Sequence, residues 1–358
     1  MHTKPSRIAR FAPVATAALI AFAGLVVAGP LNPPVGAVTS TGKTLTEVEP
    51  RIAINLVNTP GDGDSLFKIT QPGSYYLTGN VTGVNAKDGI EIAASGVTID
   101  LNGFDMLGVT GSRDAVWASL GSLTNITVRN GSIRNWGGIG INFQTNVVDG
   151  GRVDGVDVRA CFKGMITGRN FVVSNCTALA NTNTGFDSQS GSIVTDCTAY
   201  GNGAIGFDLS TNNTVSGCSS AFNSADGFSL SSGNVISHCT SSFNSINGFA
   251  IAGDGNLITG NTADSNGNSG NGAGIVVSGT DNRVEGNTMR SADAGLRVTA
   301  AGNFIVRNTA ASNTTGWEIV PGNSFGPIVI ASTNAAIVIG NSAPGTLGST
   351  DPNANFTY

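Results

Sequence analysis

The sequence has few charged and few aromatic residues: 11% of its 358 residues are charged and 6% are aromatic. The helix formers Lys and Glu are scarce, and this excludes a mostly helical protein of this length. The net charge is −5 and no stripe of Lys or Arg is present. A nucleic-acid-binding surface is therefore excluded as well.

Small and turn-forming residues are abundant instead. The chain has 50 Gly together with many Asn, Ser and Thr. Its hydrophobic content of 40% is too high for a disordered low-complexity chain. This composition predicts an all-β protein in which many short strands are joined by tight turns.

The N-terminal segment has the pattern of a signal peptide, assigned to residues 1–37. An apolar run from Phe11 to Ala28 follows a basic start, and small residues offer cleavage sites near Ala28 and Ala37. An uncleaved anchor is the alternative, because the run approaches the ~20 residues that span a membrane. The proline-rich stretch after the run favours cleavage. We therefore expect an exported mature chain with no further membrane segment.

A 21-residue repeat is the strongest signal in the sequence. Gly-Phe pairs begin at Gly185, Gly206, Gly227 and Gly248. The same step separates Cys176, Cys197, Cys218 and Cys239, and also Asn181, Asn202, Asn223 and Asn244. An apolar column precedes the cysteines at Val173, Val194, Val215 and Ile236.

The Gly-Phe pair, which we use as the marker of the repeat, continues in less regular copies as a Gly-apolar pair. Gly-apolar pairs begin upstream at Gly89, Gly140 and Gly164 and downstream at Gly274, Gly295 and Gly316, with an insertion near Asn266 to Asn271. A leucine-rich repeat is excluded, because the unit has almost no Leu and no helical half. The unit predicts three strands per coil and roughly eleven stacked coils, a rod of ~50 Å. The Phe column should stack inward, and the Asn column should mark left-handed turns and bond from coil to coil.

The coils, written N-x-V/I-x-x-C/N-T-x-x-x-x-N-x-x-x-G-F/I, resemble the right-handed parallel β-helix repeats of the pectin-lyase-like superfamily. The resemblance covers residues 85–330. It implies an N-terminal cap and first strands over 38–84, and a C-terminal cap or tail over 331–358. Because members often act on uronate polysaccharides, the resemblance also implies polysaccharide or cell-surface partners and Ca²⁺ as a possible cofactor.

Acidic residues are the main candidates for a catalytic or metal-binding site. The residues that directly follow the Gly-apolar pairs are predicted to form a column that points outward. Asp187 and Asp208 are direct neighbours in this column, and Asp226 lies one turn position away. Stacked carboxylates repel each other unless solvated or bridged by a cation or donor. These three residues are the candidate metal ligands, and a solvated pair is the alternative. Asp187, Asp208 and Arg297 are the candidate catalytic residues, although Arg297 lies several coils away.

Four residues are candidates for binding a substrate. Trp117 and Trp136 could stack on sugars if exposed, whereas Trp317 falls in the inward column and is expected in the core. Arg159 and Lys163 belong to the densest charge cluster and could bind a sugar carboxylate. A charged coil edge that blocks aggregation explains that cluster equally well.

Nucleophilic catalysis has little support in the sequence. His238 is the single histidine of the mature chain, and a lone turn histidine predicts a surface residue. The cysteines lack C-x-x-C spacing, and a column of small buried side chains is favoured over metal ligation or disulfides.

Three functions remain open. The first is an exported scaffold of the cell surface or envelope that binds polysaccharide and lacks a catalytic constellation. The second is a Ca²⁺-dependent uronate lyase or epimerase. The third is a periplasmic accessory β-helix protein. The uniform coils favour the first, because enzymes on this fold usually carry long loops over one face.

Overall fold

The computed structural model describes residues 49–119, 121–143, 148–267, 270–330 and 351–358. These residues belong to the compact unit Glu49–Tyr358. They form 36 strands and no helix, so no helix of the described residues is long and apolar enough to cross a membrane. The predicted signal peptide, residues 1–37, lies outside the described residues, as do 38–48 of the predicted cap and 331–350 of the tail.

One sheet of twelve strands contributes a single strand to each turn of the chain. With the strands numbered along the chain, these are β2 (Ser65–Ile69), β5 (Asp88–Ile92), β8 (Val116–Ala118), β10 (Ile139–Asn142), β12 (Lys163–Ile166), β15 (Phe186–Ser188), β18 (Phe207–Leu209), β21 (Phe228–Leu230), β24 (Phe249–Ile251), β27 (Ala273–Val277), β30 (Ala294–Val298) and β33 (Thr315–Ile319).

The other 24 strands form the two remaining faces of the turns. Two long strands, β9 (Leu123–Arg134) and β11 (Val148–Arg159), pass from one face to the next and join both into one sheet. The strands are β1 (Ile52–Ala53), β3 (Gly73–Tyr76), β4 (Val81–Thr82), β6 (Val97–Asp100), β7 (Asp105–Leu107), β9 (Leu123–Arg134), β11 (Val148–Arg159), β13 (Arg169–Ser174), β14 (Thr177–Leu179), β16 (Ile193–Thr195), β17 (Thr198–Tyr200), β19 (Thr214–Ser216), β20 (Ser219–Ala221), β22 (Val235–Ser237), β23 (Thr240–Ser242), β25 (Leu257–Thr259), β26 (Thr262–Asp264), β28 (Arg283–Glu285), β29 (Thr288–Arg290), β31 (Phe304–Val306), β32 (Thr309–Ala311), β34 (Ser324–Phe325), β35 (Ile328–Ile330) and β36 (Asn355–Thr357).

Successive turns are parallel and in register. From β12 onward the paired residues are 21 positions apart: Met165 pairs with Phe186, and the pairing continues through Phe207, Phe228 and Phe249. The longer step to Ile275 accommodates the predicted insertion, two residues of which (268 and 269) lie outside the described residues. The upstream markers occupy the same column. The predicted parallel β-helix of about 21 residues per coil is confirmed, with twelve turns against the eleven expected.

The interior is built from columns of identical side chains. The stacked rings of Phe186, Phe207, Phe228 and Phe249 have centroids 4.7, 4.8 and 4.9 Å apart and are fully buried. The aliphatic column and the four aligned cysteines are buried in the same core. The predicted inward stack is thus confirmed. The packing of one turn is repeated by the next, which explains the short period of the sequence.

Buried asparagines bond from coil to coil, as predicted. The Asn202 amide Nδ2 donates to Asn223 Oδ1 over 2.9 Å, and Asn223 Nδ2 donates to Asn244 Oδ1 over 2.9 Å. The prediction of left-handed dihedrals at this column is wrong, since the residue before each Asn has that conformation. Phe222, for example, has φ 56°. The side chain of Asn satisfies backbone donors at the corner, while its neighbour makes the turn.

The C-terminal residues return to the last turns. Strand β36 pairs with β32 and with β35, and Trp317 donates from Nε1 to Thr357 Oγ1 over 2.6 Å. Trp317 is half-buried against the core, as expected from its column. At the other end, β1 pairs with β3, and the loop after Pro60 folds back on β2.

Candidate functional site

The outward column of the twelve-stranded sheet has the predicted register. Glu91 pairs with Trp117, and Trp117 pairs with Asn142, which confirms that Trp117 fills the coil between the two. The column then runs on through Ile166, Asp187, Asp208, Ser229, Ala250, Val276, Arg297 and Glu318. One sheet therefore displays most of the predicted site residues.

Asp187 and Asp208 are direct neighbours, as predicted, and a cation is already present beside them. Lys163 Nζ lies 3.0 Å from Asp187 Oδ2, and Gln189 Nε2 donates to Asp187 Oδ1 over 3.0 Å. Burial raises the pKa of Asp208, and the Asp187 charge adds to this shift. The ammonium of Lys163 pairs with Asp187, and its charge opposes the rise in the pKa of Asp208.

Asp226 lies in a parallel column and is held by its own partners. Its Oδ1 accepts the backbone N–H of Asn247 over 2.9 Å and the amide Nδ2 over 2.8 Å. Burial raises the pKa of Asp226. The ligand atoms of Asp187, Asp208 and Asp226 do not all lie within 4.8 Å of one another. A metal at these three residues stays a prediction.

A cleft opens on the same sheet, three turns before Asp187. It has a volume of about 540 Å³ and is lined by Asp88, Ser112, Arg113, Asp114, Trp117, Gly137 and Gly138. Trp117 is half-buried and Arg113 is exposed, so an indole face and a guanidinium are both accessible. Of these residues, the sequence analysis singled out Trp117 alone.

Two carboxylates of the cleft are held in fixed positions by hydrogen bonds. Asp88 Oδ1 accepts the N–H of Asp114 over 2.8 Å. Asp114 in turn accepts the N–H of Ile139 over 2.6 Å and the Nδ2 of Asn142 over 2.7 Å. Burial raises the pKa of both groups, and that of Asp88 reaches about 6. Asp88 therefore exchanges a proton near neutral pH, as a general acid or base requires.

Replacing Asp88 with asparagine should change the pH dependence of stability. The folded-state pKa of Asp88 is raised, so its contribution is fully present below pH 3.8 and is lost as pH rises through about 6. Asp88→Asn keeps the acceptor for Asp114 and cannot ionise. We expect it to unfold like the parent protein at pH 4 and to be more stable by up to ~3 kcal/mol at pH 8. Denaturant unfolding at both pH values measures this.

Asp154→Asn serves as a control, because it should change stability with pH in the opposite direction. Hydrogen bonds from Ser174 and Asn175 lower the pKa of Asp154, so its contribution is present at neutral pH and is lost on acidification. Asp154→Asn should therefore destabilise at pH 7 and have less effect at pH 3. Equal stability of Asp88→Asn and the parent protein at pH 8 would contradict the assignment.

Trp136 is not a sugar-stacking platform. It is 1% exposed, and its Nε1 donates to the carbonyl of Met106 over 3.0 Å. Glycines at 83 and 89 leave room for the ring, because a Cβ there would lie 3.1 and 2.8 Å from Cη2. The prediction was wrong for Trp136, since the chain turns inward after β9 at that residue.

The predicted basic residues are dispersed. Arg159 pairs with Arg134 and Leu179 in the 24-stranded sheet, so the corner at Ala160 separates it from Lys163. A joint carboxylate site at these two residues stays a prediction. Arg297 lies five turns from Asp187, ~24 Å along the rod. It is paired with Glu318 and donates from Nη1 to the carbonyl of Asn271 over 3.0 Å.

None of the cysteines lines the cleft, and His238 does not line it either. Cys161 and the four aligned cysteines are buried and free in the structure. Burial raises the pKa of Cys161 to about 11, so that its thiol is protonated at neutral pH. His238 is exposed and makes a corner with φ 53°, as expected of a surface turn residue.

Comparisons with known proteins agree with the fold. A family model described as right handed beta helix region matches residues 168–288. No curated protein matches the chain. Among solved structures, the A-module of the Azotobacter vinelandii mannuronan C-5 epimerase AlgE6 is similar at 16% identity and TM-score 0.53, over 71% of this chain and 89% of that one. The AlgE4 A-module of the same organism gives 15% identity and TM-score 0.53, over 71% and 90%.

A tailspike protein of the E. coli bacteriophage HK620 is also similar, at 14% identity and TM-score 0.49 over 74% of this chain and 58% of that one. Identities this low show the fold alone. Together with the observed register, the matched repeat region identifies the fold of this chain as a right-handed parallel β-helix.

Proposed function

We propose that this protein is exported and binds polysaccharide on its twelve-stranded sheet, with a sugar chain in the cleft beside Trp117. The composition of the cleft carries the proposal: an accessible indole, a guanidinium and two oriented carboxylates line one concave surface. An indole offers an apolar face on which a sugar ring can stack. Carboxylates accept hydrogen bonds from hydroxyl groups, which are the groups that a polysaccharide presents.

The same sheet offers contacts beyond the cleft. Asp208 lies four turns from Trp117, ~19 Å along the rod. Asn142 and Ile166 lie between them in the column but are buried, so the contacts come from Asp187, Asp208 and Lys163, which lies beside Asp187. This length accommodates several sugar rings in line. Two basic groups, Arg113 at one end and Lys163 near the middle of this length, suit a polymer that carries carboxylates.

The decisive variant is Trp117→Ala. Loss of ring stacking worth ~1.5 kcal/mol should weaken polysaccharide binding about tenfold. Binding is measured by affinity electrophoresis with a panel of uronate and neutral polysaccharides, with and without Ca²⁺. Mannuronan is the first polysaccharide to test, because the two epimerase modules that share the fold are named for it.

Tyr200→Ala is the matched control, because Tyr200 is an exposed aromatic residue of the 24-stranded sheet. It should bind the panel as the parent protein does. Equal retardation of the parent protein and Trp117→Ala in every gel would contradict binding in the cleft. Equal weakening by Tyr200→Ala would place the sugar on another face.

A uronate lyase or epimerase is the second candidate, and the pKa of about 6 at Asp88 favours it. A base that ionises near neutral pH suits abstraction of the proton next to a carboxylate. Unsaturated product would be followed by ultraviolet absorbance, and epimerisation by proton NMR of the polymer. Activity that is lost in Asp88→Asn places catalysis in the cleft. Activity lost only in Asp187→Ala/Asp208→Ala places it at the earlier candidates.

A further inference from the structure

Three carboxylates converge at the first turns of the β-helix, outside the cleft. Asp62 and Asp64 lie in the loop before β2, and Glu91 lies in β5 directly above Lys68. One ligand oxygen from each of the three acids lies within 4.8 Å of the other two. The repeat pattern does not indicate this group, because Asp62 and Asp64 precede the first Gly-apolar pair at Gly89.

The loop that carries the two aspartates is tightly folded. Pro60 pairs with Phe67 of β2, and the N–H of Asp62 donates to the carbonyl of Ser65 over 3.2 Å. A Cβ at Gly61 would lie 2.3 Å from the carbonyl oxygens of residues 65 and 66, so the turn requires glycine there. The loop is therefore held against the sheet and keeps both carboxylates beside Glu91.

The existing partners do not use all of these oxygens. Lys68 Nζ lies 2.7 Å from Asp62 Oδ2 and 2.8 Å from Glu91 Oε1. Glu91 is only 4% exposed, yet its Oε2 has no hydrogen-bond partner. Asp64 has a single distant cation, Arg113 Nη1 at 4.0 Å. The neighbouring Asp62 carboxylate raises the pKa of Asp64, and Glu91 adds to this shift.

A buried carboxylate oxygen is normally paired or bound to a metal ion. Lys68 pairs with two of the three acids and Arg113 lies near the third, yet Glu91 Oε2 remains without a partner. Every donor in the group is a carboxylate oxygen, and no His or Cys takes part. Oxygen-only donors select hard cations, and Ca²⁺ accepts the irregular geometry that a loop and a strand provide.

We propose that Asp62, Asp64 and Glu91 bind a Ca²⁺ ion that fastens the loop before β2 to the second turn of the β-helix. Glu91 Oε2 and the Asp64 carboxylate supply the free oxygens, Asp62 completes the protein ligands, and water fills the remaining positions. Lys68 competes with the ion for Asp62 and Glu91. The site adjoins the polysaccharide cleft, since Arg113 of the cleft lies 4.0 Å from Asp64, but none of its three ligands lines the cleft and the proposal does not depend on the function of the cleft.

The test uses the mature chain freed of metal by a chelator. Thermal unfolding with and without millimolar CaCl₂ should show a rise in Tm, with a smaller rise for MgCl₂. Asp64→Asn should abolish the rise, because it removes a ligand that is exposed and whose loss does not endanger folding. Asp187→Asn, a carboxylate of the same sheet, should retain it.

Lys68→Met separates the proposal from a purely structural ion pair. If the ammonium competes with Ca²⁺, removing it lowers the apo-protein Tm and makes Ca²⁺ bind more tightly, so the Tm rise becomes larger. If Lys68 is the permanent counter-ion, the variant loses stability and Ca²⁺ restores none of it. The second result would overturn the proposal.

Terbium luminescence gives an independent readout. Trp117 is the register neighbour of Glu91, so light absorbed by its indole should sensitise Tb³⁺ bound at the group. CaCl₂ should displace the signal, and Asp64→Asn should remove it. A signal that persists in Asp64→Asn and disappears in Asp187→Asn/Asp208→Asn would place the ion at the other carboxylates and reject this site.

Discussion

Replacing Asn223 with alanine is expected to lower the free energy of unfolding by ~2–6 kcal/mol. The Asn223 Oδ1 accepts both the backbone N–H of Asn202, over 3.0 Å, and its amide Nδ2, over 2.9 Å. Alanine leaves these two buried donors without that acceptor, and each unpaired donor costs ~1–3 kcal/mol. The Asn244 carboxamide on the next turn also loses a donor. Equilibrium unfolding in guanidinium chloride measures the loss.

Asn212→Gly is the matched control in the same coil. Asn212 is exposed and has φ 59°, a conformation that glycine adopts without strain. We expect a change within ~0.5 kcal/mol. If Asn223→Ala cost no more than this control, the amide ladder would not contribute to stability, and the Asn column would have to be explained by turn geometry alone.

The regular coils made the fold predictable from the sequence. A parallel stack places copies of one position directly above each other, so the 21-residue step between Gly206 and Gly227 fixed the register of every residue between them. The prediction of the outward column at Asp187 and Asp208 followed from that step alone. The repeat period did not predict which residue at each corner has left-handed backbone dihedral angles. The left-handed residue proved to be Phe222 and its equivalents, because the carboxamide of Asn223 must face inward to bond its copy.

The candidate site was harder to predict, because it lies where the repeat is irregular. Asp88 and Asp114 occupy coils of a different length, and the 21-residue template does not align them with Asp226. Their signal was an acidic residue before the strand, at the same offset from the marker that Asp226 has. Trp136 failed for a related reason. Its burial depends on Gly83 and Gly89, two coils earlier, and no local pattern predicts such a cavity.

Phe207→Ala should be among the most destabilising single substitutions, lowering the free energy of unfolding by ~3–5 kcal/mol. Phe207 is fully buried between Phe186 and Phe228, with ring centroids at 4.7 and 4.8 Å. The truncation leaves a cavity and removes two stacking contacts worth ~0.5–1.5 kcal/mol each. Because each turn contacts only its neighbours, the weakened turn should also divide the cooperative unfolding transition. Guanidinium unfolding followed by circular dichroism tests both effects.

Phe222→Gly provides the comparison within one coil. Phe222 is 51% exposed and has φ 56°, a conformation unfavourable to a bulky side chain. Glycine relieves that strain and loses the contacts with Tyr200 at 5.2 Å and Phe243 at 5.0 Å, so the net loss should be much smaller than that of Phe207→Ala. A large loss in Phe222→Gly with a small one in Phe207→Ala would reverse the roles of the two columns. The exposed stack would then hold the turns together, and the buried rings would only fill space.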